Sequence, residues 1–177
     1  MAGPGTGESL NAAAPAKLPS ALQRLRARLA ARPDTEHEQG ILRLIICVLG
    51  FAYLLPGALA HQNERALYLT SMFVVLALLI FLWIACSKSI SPVRRIFAQL
   101  VDVIAISTCM LLFGESAAPL FLLYFWVTLG SGFRFGPAYL LSELAMSMVG
   151  FGIVIYAGDF WREHVSVGVG LLIGMLA

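Results

Sequence analysis

Apolar residues fill this chain in six blocks of 13 to 22 residues, at about 41–60, 66–86, 93–113, 117–133, 137–158 and 165–177. Short polar or glycine-containing breaks separate them. A helix crossing about 30 Å of hydrocarbon takes about 20 residues, and most blocks match that length. The pattern predicts an all-α membrane protein. It is a bundle of five to six transmembrane helices over residues 41–177, preceded by a short amphipathic juxtamembrane helix. The block at 117–133 is short and begins near Pro119, which leaves a tilted or partly re-entrant path open. The last block has only 13 residues, so the chain is expected to stop inside a sixth span and to be a piece of something longer.

The first forty residues read differently. Residues 1–20, rich in Ala, Gly, Pro and Ser, cannot bury a core and are expected to be a disordered tail. In the juxtamembrane segment, 21–40, Leu22, Leu25 and Leu29 share a helical face ringed by Arg24, Arg26, Arg28 and Arg32. That suits either an anionic lipid surface or a solvated basic helix that sets topology. Pro33 interrupts the helix. Asp34 or Thr35 then fits an N-cap, and the acids Glu36 and Glu38 suit the positive end of the next helix. The same segment could instead be a short polar sensor just outside the membrane. Ala58-Leu59-Ala60 mimics a signal-peptidase site, but the forty residues before the first apolar block are too many for a usual n-region, so a retained span is predicted.

Composition narrows the class further. The chain is 59% hydrophobic and 12% charged, about half the charge of a soluble domain. The mean hydropathy is +0.85. With the N-terminus inside, ten of the twelve basic residues fall on inner segments, and only Arg65 and Arg162 lie outside. That supports six spans with both ends in the cytoplasm. No basic face remains for nucleic acid.

Three polar groups sit at the apolar blocks. Asp102 lies about two turns inside the third, Arg134 closes the fourth, and Glu143 lies near the start of the fifth. An intramembrane carboxylate costs about 2.5–3.5 kcal/mol to insert and should face a partner. A cluster of Asp102, Arg134 and Glu143, joined by Gln99, is therefore expected. It would serve either as a buried tie between helices or as a functional site, a proton-linked switch or a carboxylate-binding spot at Arg134. Arg43 is read as snorkelling near the start of its span. Gly130-Ser131-Gly132 superficially suggests a nucleophile, but the late histidine, His164, falls on the opposite side, and helix packing explains the glycines better. Cys47, Cys86 and Cys109 have no metal or disulfide spacing. No catalytic residue, cofactor or metal site is predicted in this chain.

The runs 28–43 (RLAARPDTEHEQGILR) and 114–139 (GESAAPLFLLYFWVTLGSGFRFGPAY), with Asp102 between them, resemble the N-terminal input region of RpfC-type hybrid sensor histidine kinases. These are the receptors of diffusible-signal-factor quorum sensing. The resemblance implies a homodimeric two-component sensor in the bacterial inner membrane that detects a cis-2-unsaturated fatty acid. It also implies kinase and phosphorelay domains beyond this chain that use ATP and magnesium. It points to Asp34, Thr35, Glu36 and Glu38 as the signal segment. A fatty acid carboxylate would prefer Arg43, Arg134 or a helix N-terminus. The family is described with five spans and its N-terminal segment outside, whereas the basic residues here give six with that segment inside. A small polytopic transporter or channel is the alternative reading.

Overall fold

Pro92, Pro137 and the glycines at 114 and 136 divide the apolar chain into helices. The computed structural model describes residues 35–60, 62–87 and 89–177. The predicted tail, the amphipathic segment and Asp34 lie outside the described residues. The elements are α1 (Glu36–Ala60), α2 (Glu64–Cys86), α3 (Pro92–Phe113), a 3₁₀ segment (Gly114–Leu120), α4 (Phe121–Phe135), α5 (Pro137–Ala157), the short α6 (Asp159–Glu163) and α7 (Val165–Leu176). The described residues contain no strand.

Local chemistry sets the ends. Asn63 caps α2 by accepting from the Ala66 amide at 3.0 Å. Ser91 accepts from Arg94 N at 3.4 Å, and Pro92 occupies the first turn of α3, where no N–H is needed. Gly136, at φ +96°, makes the turn from α4 to α5 in a conformation that disfavours a side chain. The expected tight turn at 114–116 is longer than it reads. It continues as the 3₁₀ segment to Leu120, because Pro119 cannot donate to a helical ladder. The expected polar loop at 159–164 contains α6.

Four helical stretches are long and apolar enough to cross a membrane: Glu36–Ala60, Glu64–Cys86, Pro92–Phe135 and Pro137–Ala157. The third folds back on itself. Ser107 and Tyr124 are in hydrogen-bond contact at 2.7 Å, whereas a continuous helix would hold residues 17 apart about 25 Å from each other.

Helix α1 pairs with α2, and α4 pairs with α5. Helix α3 touches α2, α4 and α5, and α7 lies on α5. The main core joins α3, the 3₁₀ segment, α4 and α5 through Met110, Ala117, Tyr124, Phe151 and Val154. A smaller one joins α2 to α3 through Ile80, Ile84, Ala98 and Val101. Outward residues such as Leu49, Tyr68 and Leu122 remain exposed, as expected of faces turned to lipid.

Candidate functional site

Three buried positions near the start of α1 recur at helical spacing. Glu36, Gly40 and Arg43 are buried on one face. Gly40 lets that face approach α2, since a Cβ there would lie 3.2 Å from Phe81 and 3.3 Å from Ile84. Arg43 therefore does not snorkel. Its Nε donates to Asp102 Oδ1 at 2.6 Å and its Nη2 to Asp102 Oδ2 at 2.8 Å. Both side chains are nearly enclosed, at 5% and 10% exposure. A bidentate guanidinium fits a carboxylate's geometry, and both charges are neutralised within the apolar interior.

A second ionic tie closes the same end of the bundle. Glu36, at the start of α1, accepts from Arg94 and from Arg95 Nε, the latter at 2.5 Å. Arg94 also donates to the Ser89 carbonyl at 2.9 Å. The Arg95 guanidinium lies 4.2 Å from the centre of the Phe135 ring and 5.5 Å from that of Tyr139. Glu36 thus joins α1 to α3, and Arg95 joins both to the turn between α4 and α5.

Of the expected cluster of Asp102, Arg134 and Glu143, Asp102 and Arg134 line one cavity, and Asp102 acts electrostatically on Glu143, but their hydrogen bonds go to different partners. Asp102 pairs with Arg43. Glu143 is fully buried and its Oε2 accepts from Ser131 Oγ at 3.2 Å. Arg134 has a buried Nη1 without a hydrogen-bond partner. Gln99 lies within hydrogen-bonding reach of Glu143, and it also donates to the Tyr139 carbonyl at 2.9 Å and accepts from Ser142 at 3.0 Å. Of the predicted signal segment, Glu36 is buried in the ionic tie, while Thr35 and Glu38 are exposed. Sequence reasoning missed Arg94 and Arg95 as partners of Glu36, and Ser131 as the partner of Glu143.

Arg43, Asp102 and Arg134 share one further feature. They line a cavity of about 420 Å³ between α1, α2, α3 and α4. Its remaining wall is almost wholly apolar, including Phe51, Leu54, Phe73, Ile106, Leu123 and Trp126. The charged residues gather at the end nearest the ionic tie. Since Arg43 is matched by Asp102, Arg134 is the cation there with donor capacity to spare.

These features define a helical membrane protein with an apolar cavity, open to the outside along exposed Trp126, Leu129 and Phe133, and a cationic end. Sequence comparison places it more closely. The chain is 33% identical over 162 residues, 89% of its length, to the sensory/regulatory protein RpfC in each of two strains of Xanthomonas campestris pv. campestris. It spans 22% of the length of those relatives. The chain is thus similar over nearly its whole length to part of a sensory/regulatory protein RpfC. No family model and no solved structure matches it.

Proposed function

We propose that this chain is the membrane input region of an RpfC-type hybrid sensor histidine kinase, and that it detects a cis-2-unsaturated fatty acid. The observation that carries this reading is the cavity with Arg134 at its polar end. At about 420 Å³ it falls within the range of small-molecule sites, about 300–1,000 Å³. An apolar wall suits an acyl chain, and the spare guanidinium donors of Arg134 suit its carboxylate. Asp102 does not repel that carboxylate, because Arg43 neutralises it.

In this reading the bundle crosses the bacterial inner membrane five or six times. Crossings α1, α2, α3, α4 with its 3₁₀ lead-in, and α5 make five, and the shorter apolar α7 is the candidate for a sixth. The active form is a homodimer, and ATP and magnesium serve domains beyond this chain. A ligand that binds one packing of α1, α3 and α4 better than another shifts the population of the two, and the kinase reads that shift.

The test is binding of a cis-2-unsaturated fatty acid to the chain in nanodiscs, with the saturated acid of equal length as control. Wild type should prefer the unsaturated acid. Arg134→Gln should weaken binding at least about tenfold, the loss of one charge-assisted contact. Asp34→Ala/Glu36→Ala should leave the preference in place. Equal binding of both acids would remove the fatty acid reading. Loss in the double variant alone would move the site to the juxtamembrane segment.

A further inference from the structure

The seam between α4 and α5 holds a polar layer that the cavity does not use. Helices α4 and α5 run antiparallel from the turn at Gly136. Ser131 meets Glu143 at 3.2 Å, and Tyr124 meets Phe151 with ring centres 5.8 Å apart. The register between these contacts places Thr128, one turn from Ser131, opposite Ser147, one turn from Glu143. All four side chains are buried: Ser131, Glu143 and Ser147 at 0% exposure and Thr128 at 6%. Yet Thr128 Oγ1, Glu143 Oε1 and Ser147 Oγ have no hydrogen-bond partner.

Other hydroxyls in this bundle behave differently. Thr70, Ser71 and Ser107 donate to the carbonyl four residues back, at 2.6–2.7 Å. Thr128 and Ser147 leave that bond unmade and keep their oxygens in the seam. A buried hydroxyl without a partner costs about 1–3 kcal/mol, so three such oxygens in adjacent turns mark a place where something else satisfies them.

Charge indicates what that is. Asp102 and Arg43 act electrostatically on Glu143, and Gln99 lies within hydrogen-bonding reach of it, but Asp102 and Arg43 are committed to each other. No salt bridge to Glu143 occurs among the described residues. The layer therefore holds one carboxylate without its own cation.

Groups of different character flank the layer. Gln99, Ser142 and the Tyr139 carbonyl hydrogen-bond to one another at the end nearer the α4–α5 turn. At the far end, the rings of Phe121, Tyr124, Phe151 and Trp161 pack together.

We propose that Glu143, Ser131, Thr128 and Ser147 form a binding site for one sodium ion. Three hydroxyls and one carboxylate supply hard oxygen ligands, and a single uncompensated negative charge favours a monovalent ion. Bound there, the ion ties α4 to α5. The proposal stands apart from the fatty acid reading, since no residue of the layer lines the cavity.

The test is thermal unfolding of the chain in detergent, followed by tryptophan fluorescence. Sodium chloride is exchanged for choline chloride at constant ionic strength. Wild type should gain about 5 °C in Tm at saturating sodium, and Glu143→Gln should gain nothing. Should Glu143→Gln fail to fold, Ser147→Ala and Thr128→Ala each remove only a hydroxyl and should raise the half-saturating sodium concentration at least about tenfold. Equal Tm in sodium and choline overturns the proposal, as does a Tm that follows pH alone, which would mean that Glu143 carries a proton. A sodium gain that persists undiminished in the Glu143 or hydroxyl variants would place the ion elsewhere and overturn it too.

Discussion

Arg43 and Asp102 are each tolerable inside the bundle only because of the other. Removing one partner leaves a charge in an apolar interior, and such losses cost about 3–5 kcal/mol. Arg43→Met and Asp102→Leu should each destabilise the chain by about that amount in denaturant unfolding from detergent. The double variant should recover most of it, because a well-packed apolar pair needs no counter-charge. Two independent, additive losses would show that the pair is not coupled. Asp102 is conspicuous in the sequence because a carboxylate within an apolar block must find a partner. The partner is less so. Read from the apolar block alone, Arg43 sits near a helix end, within reach of water. Helix α1 in fact begins at Glu36, five residues before that block. The extra turn carries Arg43 inward to the level of Asp102. The recurrence of Glu36, Gly40 and Arg43 at intervals of four and three is the signal that could have revealed this face.

At the level of elements, glycine sets how closely α5 approaches α3. A Cβ on Gly150 would lie 2.6 Å from Val103 Cγ1 and 2.7 Å from Ser107 Oγ, so Gly150→Ala must push the helices apart. The expected loss is about 1–3 kcal/mol, typical of overpacking. Val103→Ala in the same chain should restore part of it by vacating the nearer contact, whereas no recovery would trace the loss to backbone effects. The helices themselves are readable from block lengths, and their pairing follows from short connections. The path between α3 and α4 is less readable. Gly114, Glu115 and Ser116 look like a turn, and Ala117 onward looks like a span. Pro119 delays the α-helical ladder until Phe121, so the crossing begins with a 3₁₀ lead-in. The polar layer between α4 and α5 is hidden for a different reason. Isolated serines and threonines are common in membrane helices, and only the register across the Gly136 turn brings Ser131 to Glu143 and sets Thr128 and Ser147 at matching levels.

For the whole molecule, the ionic tie and the cavity's polar end lie at one pole, and the aromatic plug lies at the other. The bundle therefore has a chemical direction, and its orientation decides from which side a ligand or ion arrives. Two arguments oppose each other. Arg94, Arg95 and Arg134 gather at the pole where α1 begins, and the excess of basic residues assigns that pole to the cytoplasm. The family resemblance implies the reverse, with the N-terminal segment outside. Pairing weakens neither count, because the rule follows numbers of Lys and Arg near span ends and not net charge. Exposed Ser89 and Ser116 mark the opposite poles. With Cys47, Cys86 and Cys109 replaced by alanine, Ser116→Cys should react with a membrane-impermeant maleimide on intact cells. Ser89→Cys should react only after the cells are permeabilised. The reverse pattern would put the Glu36–Arg94–Arg95 tie at the outer surface. It would then be the Arg134 end of the cavity, and the Gln99 end of the Glu143 layer, that face the medium from which a diffusible signal comes.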